Sequence, residues 1–245
     1  ELYSRAPFPA RFRTARGMRF APDGHTLLVW LVPDVDRGAE MWLLPLDAGR
    51  PARVESPLLR GFKSLSASWL PDSRRIALAT EPAPGAGFHV YILDTSNGHA
   101  EPLTQGTGEE RDPAVSPDGQ RLAFSSGGVD SNLAEVSLDG TRVSPLLASS
   151  RREYGASWSH SGQLIAYVSD ANGQPEVWMR NPGEGWALPV VRPSAEGRLD
   201  FAVPRFSPDG MRLAYVRVGE KHLISIVNLS GGQTVPLERE STDQH

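Results

Sequence analysis

The stretch Ser116-Pro117-Asp118-Gly119-Gln120-Arg121-Leu122-Ala123-Phe124 decides the fold, because four other segments of this 245-residue chain repeat its pattern. The counterparts of its opening phrase are Ala21-Pro22-Asp23-Gly24, Leu70-Pro71-Asp72-Ser73, Ser159-His160-Ser161-Gly162 and Ser207-Pro208-Asp209-Gly210. Successive intervals between Pro22, Pro71, Pro117, His160 and Pro208 are 49, 46, 43 and 48 residues. A period of that length marks a propeller or solenoid, in which each repeat is one supersecondary unit. The phrase is turn chemistry: proline pre-sets φ, aspartate bonds local backbone and glycine accepts a positive φ. The five aspartate-type positions are therefore read as architecture. The Asp72-Ser73 and His160-Ser161 copies are expected to turn more loosely, and their drift argues against a shared ligand.

Outward from each phrase the chain reads as strands. A second strand follows at Leu27-Leu28-Val29, Ile76-Ala77-Leu78, Leu122-Ala123-Phe124, Ile165-Ala166-Tyr167 and Leu213-Ala214-Tyr215. A third lies around Trp42, Tyr91, Leu133, Val177 and Ile224, where β-branched and aromatic residues are frequent. The fourth is weaker and carries proline in several copies, which places it at a sheet edge. One column ahead of the turn holds Phe20, Trp69, Val115, Trp158 and Phe206. These side chains are expected to fill the space between neighbouring blades. The reading is all-β, a single propeller domain over residues 1–245, with five four-stranded blades at about 12–60, 61–106, 107–149, 150–197 and 198–240. The alternatives are closure with five blades, residues 2–8 lending a strand to the last, or membership of a ring of six or more.

The sequence at Ser116 to Phe124 and at Ser207 to Tyr215 resembles the repeat of the TolB-like propellers, also called WD40-like or PD40 repeats. The resemblance covers nearly the whole chain. It implies a bacterial propeller of the kind found in periplasmic TolB, in sensor regions of kinases and winged-helix regulators, and beside the catalytic domain of prolyl-oligopeptidase-like peptidases. It transfers no functional residue, because one fold serves many activities.

Composition narrows the function. A net charge of −4 without a block of like charges gives no footprint for nucleic acid. No apolar run approaches the ~20 residues of a membrane helix, so this segment is not expected to insert into a membrane. The absence of cysteine excludes thiolate chemistry and suits a periplasmic or other extracytoplasmic location, with a cytoplasmic one also open. Because the chain begins at Glu1, it reads as a domain excised from a longer protein. No nucleophile elbow, zinc helix or phosphate loop occurs, and no metal or other cofactor is expected. The six histidines are scattered and are read as loop or surface residues. Asp34, Asp36 and Glu40 could offer oxygens to a calcium ion, but lack the required glycine and spacing, so a solvated loop is preferred.

Candidate binding residues come from what does not repeat. Segments 14–17, 62–66, 109–112, 151–154 and 198–201 lead into the first strands and differ in every copy, and loops of this kind carry function. They supply Arg16, Lys63, Arg111, Asp112, Glu153, Tyr154 and Asp200 as candidate ligand-binding residues at a channel mouth. Arg19 and Arg205 join them, since their column otherwise holds Ser68, Ala114 and Ser157. If five blades close the ring, these arginines face each other near its seam with an anion or carboxylate between them. The leading function is a non-catalytic binding or sensor module that takes a protein, a peptide or a small ligand on one ring face. One alternative is a glycosidase-like enzyme in which Glu110, Asp112, Glu153 and Asp200 converge. The other is an accessory propeller of a peptidase or kinase.

Overall fold

Local turn chemistry folds each repeat into an antiparallel meander. The structure, a computed structural model, describes residues 12–33, 39–47, 49–59, 66–83, 86–105, 109–127, 131–149, 151–193, 200–218, 222–232 and 234–236. Blade 1 comprises β1 (Phe12–Phe20), β2 (Thr26–Pro33), β3 (Glu40–Pro45) and β4 (Ala52–Arg53). Blade 2 comprises β5 (Ala67–Trp69), β6 (Arg75–Thr80), β7 (His89–Asp94) and β8 (Ala100–Pro102). Blade 3 comprises β9 (Glu110–Val115), β10 (Arg121–Ser126), β11 (Asn132–Ser137) and β12 (Val143–Leu147). Blade 4 comprises β13 (Glu153–Trp158), β14 (Ile165–Ser169), β15 (Glu176–Arg180) and β16 (Ala187–Val191). Blade 5 comprises β17 (Asp200–Phe206), β18 (Arg212–Val218), β19 (His222–Asn228) and β20 (Thr234–Pro236). Strands pair in chain order within each blade. The first strands abut one another from β1 through β5, β9 and β13 to β17, so they surround the ring axis. Prolines 102, 145, 189 and 236 lie on the outermost strands, where no further ladder needs their missing N–H. Residues 2–8, a candidate extra strand, lie outside the described residues.

The repeated turn works as its residues dictate. Asp23, Asp72, Asp118 and Asp209 each accept a hydrogen bond at Oδ1 from the amide two residues on, at 2.9–3.1 Å. Gly24, Gly119, Gly162 and Gly210 take φ between +66° and +74°, and Ser73 is forced to +55°. Its closing bond, Ser73 N to Leu70 O, lengthens to 3.2 Å against 2.8–2.9 Å in the other four. The Ser161 copy is not looser: Gly162 keeps the positive φ, and the closing bond stays at 2.9 Å.

Four junctions between blades are sealed in the same way. Leu28, Trp30 and Met41 of blade 1 meet Ala67, Trp69 and Ile76 of blade 2. Ala77, Ala79 and Val90 meet Leu122, Phe124 and Val136. Ala123 and Leu133 meet Ala156, Trp158 and Ile165. Ala166, Val168 and Val177 meet Phe201, Leu213 and Tyr215. The seals carry directional contacts as well. Trp69 Nε1 donates to Arg19 O at 3.2 Å, Ser68 Oγ accepts from Val115 N at 3.0 Å, and Tyr154 Oη donates to Phe201 O at 3.2 Å. Between blades 3 and 4, the Arg121 guanidinium lies 4.5 Å from the centre of the Trp158 ring.

The fifth junction, between blade 5 and blade 1, is different. Register places Met41, Val90, Leu133, Val177 and Ile224 at one equivalent third-strand position. The first four are at most 1% exposed, whereas Ile224 is 46% exposed. On the opposing side Trp69 and Trp158 are each 8% exposed, while Phe20, their counterpart, is 65% exposed. Phe20 therefore departs from the expectation that its column is core. It points to the one seam where, among the described residues, no core cluster joins the two blades. Blade 1 instead packs that face on itself through Val29, Leu31, Trp42 and Leu44, with Phe12 edge-on to Trp42 at 6.2 Å.

Candidate functional site: a cationic cavity on the ring axis

Each described first strand except the short β5 carries an irregularity before its last turn of pleat. In blades 3, 4 and 5 the bulged residue is left-handed: Asp112 at φ +53°, Gly155 at +68° and Val203 at +45°. A bulge bends the strand and re-aims its side chains. Glycine accepts that conformation freely, whereas Asp112 and Val203 hold it under strain of roughly 1–3 kcal/mol.

Past the bulge, the five inner strands enclose a cavity of about 270 Å³. One residue per blade defines its girdle: Arg19, Ser68, Ala114, Ser157 and Arg205. Small residues Ala67, Pro113 and Ala156 sit on one side, and the Phe20, Trp69, Val115, Trp158 and Phe206 column on the other. The cavity therefore lies at the end of the inner strands that feeds the Pro-Asp-Gly turns. The described parts of the lead-in segments are at the opposite end of those strands.

Two charged groups line this space, and a third, Asp112, acts on both from outside its lining. Arg19 and Arg205 both line the cavity, and each is anchored through Nη1 to the carbonyl before it, Met18 O at 2.8 Å and Pro204 O at 2.7 Å. The Arg19 guanidinium lies 5.9 Å from the centre of the Trp30 ring. Asp112, two residues before Ala114 in the girdle, is held by Ser66, whose Oγ accepts from Asp112 N at 3.1 Å. Burial raises the Asp112 carboxyl above its ordinary range against the pull of Arg205, Arg111 and Arg19. Burial also lowers Arg19, which Asp112 partly offsets. Arg205 is pushed down to about 9 by burial first and by the like charge of Arg19 second, with Asp112 opposing both. Arg205 therefore remains a cation at neutral pH, as arginines do, and two guanidinium groups share one cavity.

The other candidate residues go elsewhere. Arg111 pairs with Glu109 at 3.0 Å and lies 3.6 Å from the centre of the Phe88 ring. Glu153 is buried and accepts a 2.6 Å bond from Ser149 Oγ, and burial pushes its carboxyl up. Tyr154 bridges blades 4 and 5, with the Arg152 guanidinium 5.3 Å from the centre of its ring. Arg16 and Asp200 have described backbone, in β1 and β17, and Lys63, Asp34 and Asp36 lie outside the described residues. Glu40 bonds Trp42 Nε1 and Arg53. Glu110 is buried, accepting from Thr104 Oγ1 and bonding His89 Nδ1 at 2.9 Å. His89 is thus a half-buried strand residue and not the loop or surface residue expected of it. Among the described residues no three Asp, Glu or His side chains gather as a metal site. Glu110, Asp112 and Glu153 each have different partners.

A ring of five four-stranded blades with Pro-Asp-Gly turns and a cavity on its axis is a TolB-like β-propeller. The chain belongs to the Gmad1 family, the lipoprotein LpqB β-propeller domain, whose model matches residues 93–244. It is 25% identical over 206 residues to an uncharacterised protein of Agrobacterium fabrum, covering 80% of this chain and 68% of that one. To a TolB homologue of Chlorobium luteolum it is 30% identical over 156 residues, 61% of this chain but only 34% of that one. Among solved structures, a TolB-type protein from Agrobacterium tumefaciens superposes with a TM-score of 0.76 at 18% identity, over 92% of this chain and 80% of that one. TolB from Acinetobacter baumannii gives 0.69 at 21% identity, over 93% and 53%. An oligogalacturonate lyase in complex with manganese gives 0.63 at 16% identity, over 92% and 65%. At these identities the superpositions speak to the fold.

Proposed function

We propose that this chain is a non-catalytic binding or sensor propeller that takes its ligand at the axial cavity on the turn side of the ring. The observation that carries this reading is the girdle. Four of the five junctions between blades are sealed by residues at repeating positions, while the axis is lined by residues that break the repeat, Arg19 and Arg205 above all. A rigid ring with a variable centre suits recognition, because loops and non-repeating positions are free of structural duty. The partner is a small ligand, or the end or side chain of a protein or peptide. The family description, a lipoprotein domain, and the likeness to TolB support an extracytoplasmic setting. An enzymatic reading would draw on the fold shared with the lyase, but the carboxylates of Glu110 and Glu153 are committed to separate partners, Thr104 and Ser149.

A thermal-shift screen of sugars, metal ions, organic acids and short peptides tests the proposal, with two-dimensional NMR of the tryptophan indole N–H groups to locate each hit. Ligands that shift Trp69 and Trp158, which line the cavity, support it. Hits that shift only Trp186, exposed and bonded to Glu184, would contradict it. So would turnover of oligogalacturonate with manganese.

A further inference from the structure

The girdle specifies the chemistry of the ligand as well as its place, an inference that rests on the binding reading above. Neither Arg19 nor Arg205 makes a salt bridge within 4 Å among the described residues, although Arg53, Arg74, Arg75, Arg111, Arg121, Arg192 and Arg212 all do. Each axial guanidinium gives one N–H to the carbonyl that anchors it. That leaves most of its five fork-arranged donors for a partner. The two cations come from the first and last blades, face one cavity, and raise each other's cost of burial. Asp112 offsets part of this charge without a salt bridge to either guanidinium, and an anion between the two would complete the arrangement.

Size and wall chemistry narrow the anion. About 270 Å³ is the room of roughly nine waters and sits just below the usual range of ligand pockets. The walls beside the arginines are Ala67, Ala114, Ala156, Trp69 and Trp158, which suit hydrocarbon, and the hydroxyls of Ser68 and Ser157 offer further donors. A planar group with two oxygens matches a guanidinium fork geometrically. We infer that the axial cavity is a receptor for an organic carboxylate, gripped between Arg19 and Arg205 with its carbon chain against the alanine and tryptophan walls. The carboxylate is that of a free small acid or the C-terminus of an inserted peptide.

The test titrates the protein with succinate, with its diamide, with inorganic phosphate, and with a short peptide bearing either a free or an amidated C-terminus. Indole N–H shifts of Trp69 and Trp158 are followed, with Trp186 as the internal control. Succinate or the free-acid peptide is expected to shift the two cavity indoles saturably. The diamide, the amidated peptide and phosphate are expected to bind at least about tenfold more weakly. Arg205→Met, and separately Arg19→Lys, should weaken carboxylate binding by about tenfold or more while far-ultraviolet circular dichroism stays unchanged. If one variant fails to fold, the other together with the amide comparison decides the matter. Equal response to acid and amide, equal response to phosphate, or no cavity shift with any carboxylate overturns the inference. A sugar or cation that occupies the cavity in their place would overturn it too, yet leave the binding reading standing.

Discussion

Leu133 and Ile224 occupy the same place in blades 3 and 5, yet one is fully buried and the other is 46% exposed. The residues themselves are similar, so the difference lies in the neighbour. Leu133 is covered by Trp158 and Ala156 of the following blade. Ile224 faces the seam, where Phe20 and Met18 stand in the equivalent position and are mostly exposed. Four junctions thus hold the ring as nearest-neighbour interfaces, in the manner of a repeat protein, and among the described residues the fifth has no core cluster. That asymmetry also sets the axis, because Arg19 and Arg205 stand on the two blades that flank the seam.

The comparison can be broken by mutation. Trp158→Ala removes an indole from a sealed junction together with the surface that Arg121 stacks on, and should cost about 3–5 kcal/mol in urea unfolding. Phe20→Ala, the same change of shape at the seam, should stay within about 0.5 kcal/mol. Leu133→Ala is expected to cost about 2–5 kcal/mol, against roughly 1 kcal/mol or less for Ile224→Ala. Equal losses in either pair would mean that the seam is sealed as tightly as the other junctions.

Acid should act on blades 2, 3 and 5, away from the contrast between seam and sealed junctions. Asp94 is held well below the usual carboxylate range, by its hydrogen bonds from Arg74 first and Ser96 second. Asp139 is lowered to about 2 by hydrogen bonds from Ser137 and Thr141, and Asp118 and Asp209 are lowered chiefly by Ser116 and Ser207. A carboxyl depressed in the fold stabilises it above its unfolded value and loses that contribution as pH falls through the folded one. Unfolding midpoints followed by circular dichroism should therefore fall as pH drops from about 4 to 2. Glu153 has the opposite sign, because burial raises it and its Oε2 has no partner. Its charge opposes folding above the ordinary glutamate value, so Glu153→Gln should stabilise the fold at neutral pH and have no effect in acid.

The blades were legible in the sequence because the turn must reuse proline, aspartate and glycine wherever the chain reverses, and Ser116 to Phe124 states that requirement openly. Arg19 and Arg205 were legible for the converse reason: they interrupt a column of small residues. What the sequence hid depends on neighbours distant in the chain. Phe20 looks like Trp69 and Trp158 in its repeat, and only the lack, among the described residues, of a core cluster across the seam leaves it exposed. Arg111 and Glu153 looked like channel charges, but Phe88 and Glu109 draw the first away, and Ser149 the second. Asp112 entered the reading as one charge among several, and its left-handed bulge is what turns it toward the arginines.

Repeating residues make the ring and the two arginines make the site, and the unfolding free energy of Arg205→Met, measured in urea without ligand, separates those roles most directly. Methionine keeps the hydrocarbon stem and removes a desolvated cation that Arg19 repels. The variant should be as stable as the parent, within about 0.5 kcal/mol, or more stable. A loss of about 2 kcal/mol or more, the size seen on emptying a sealed junction, would make Arg205 part of the scaffold and contradict its assignment to binding.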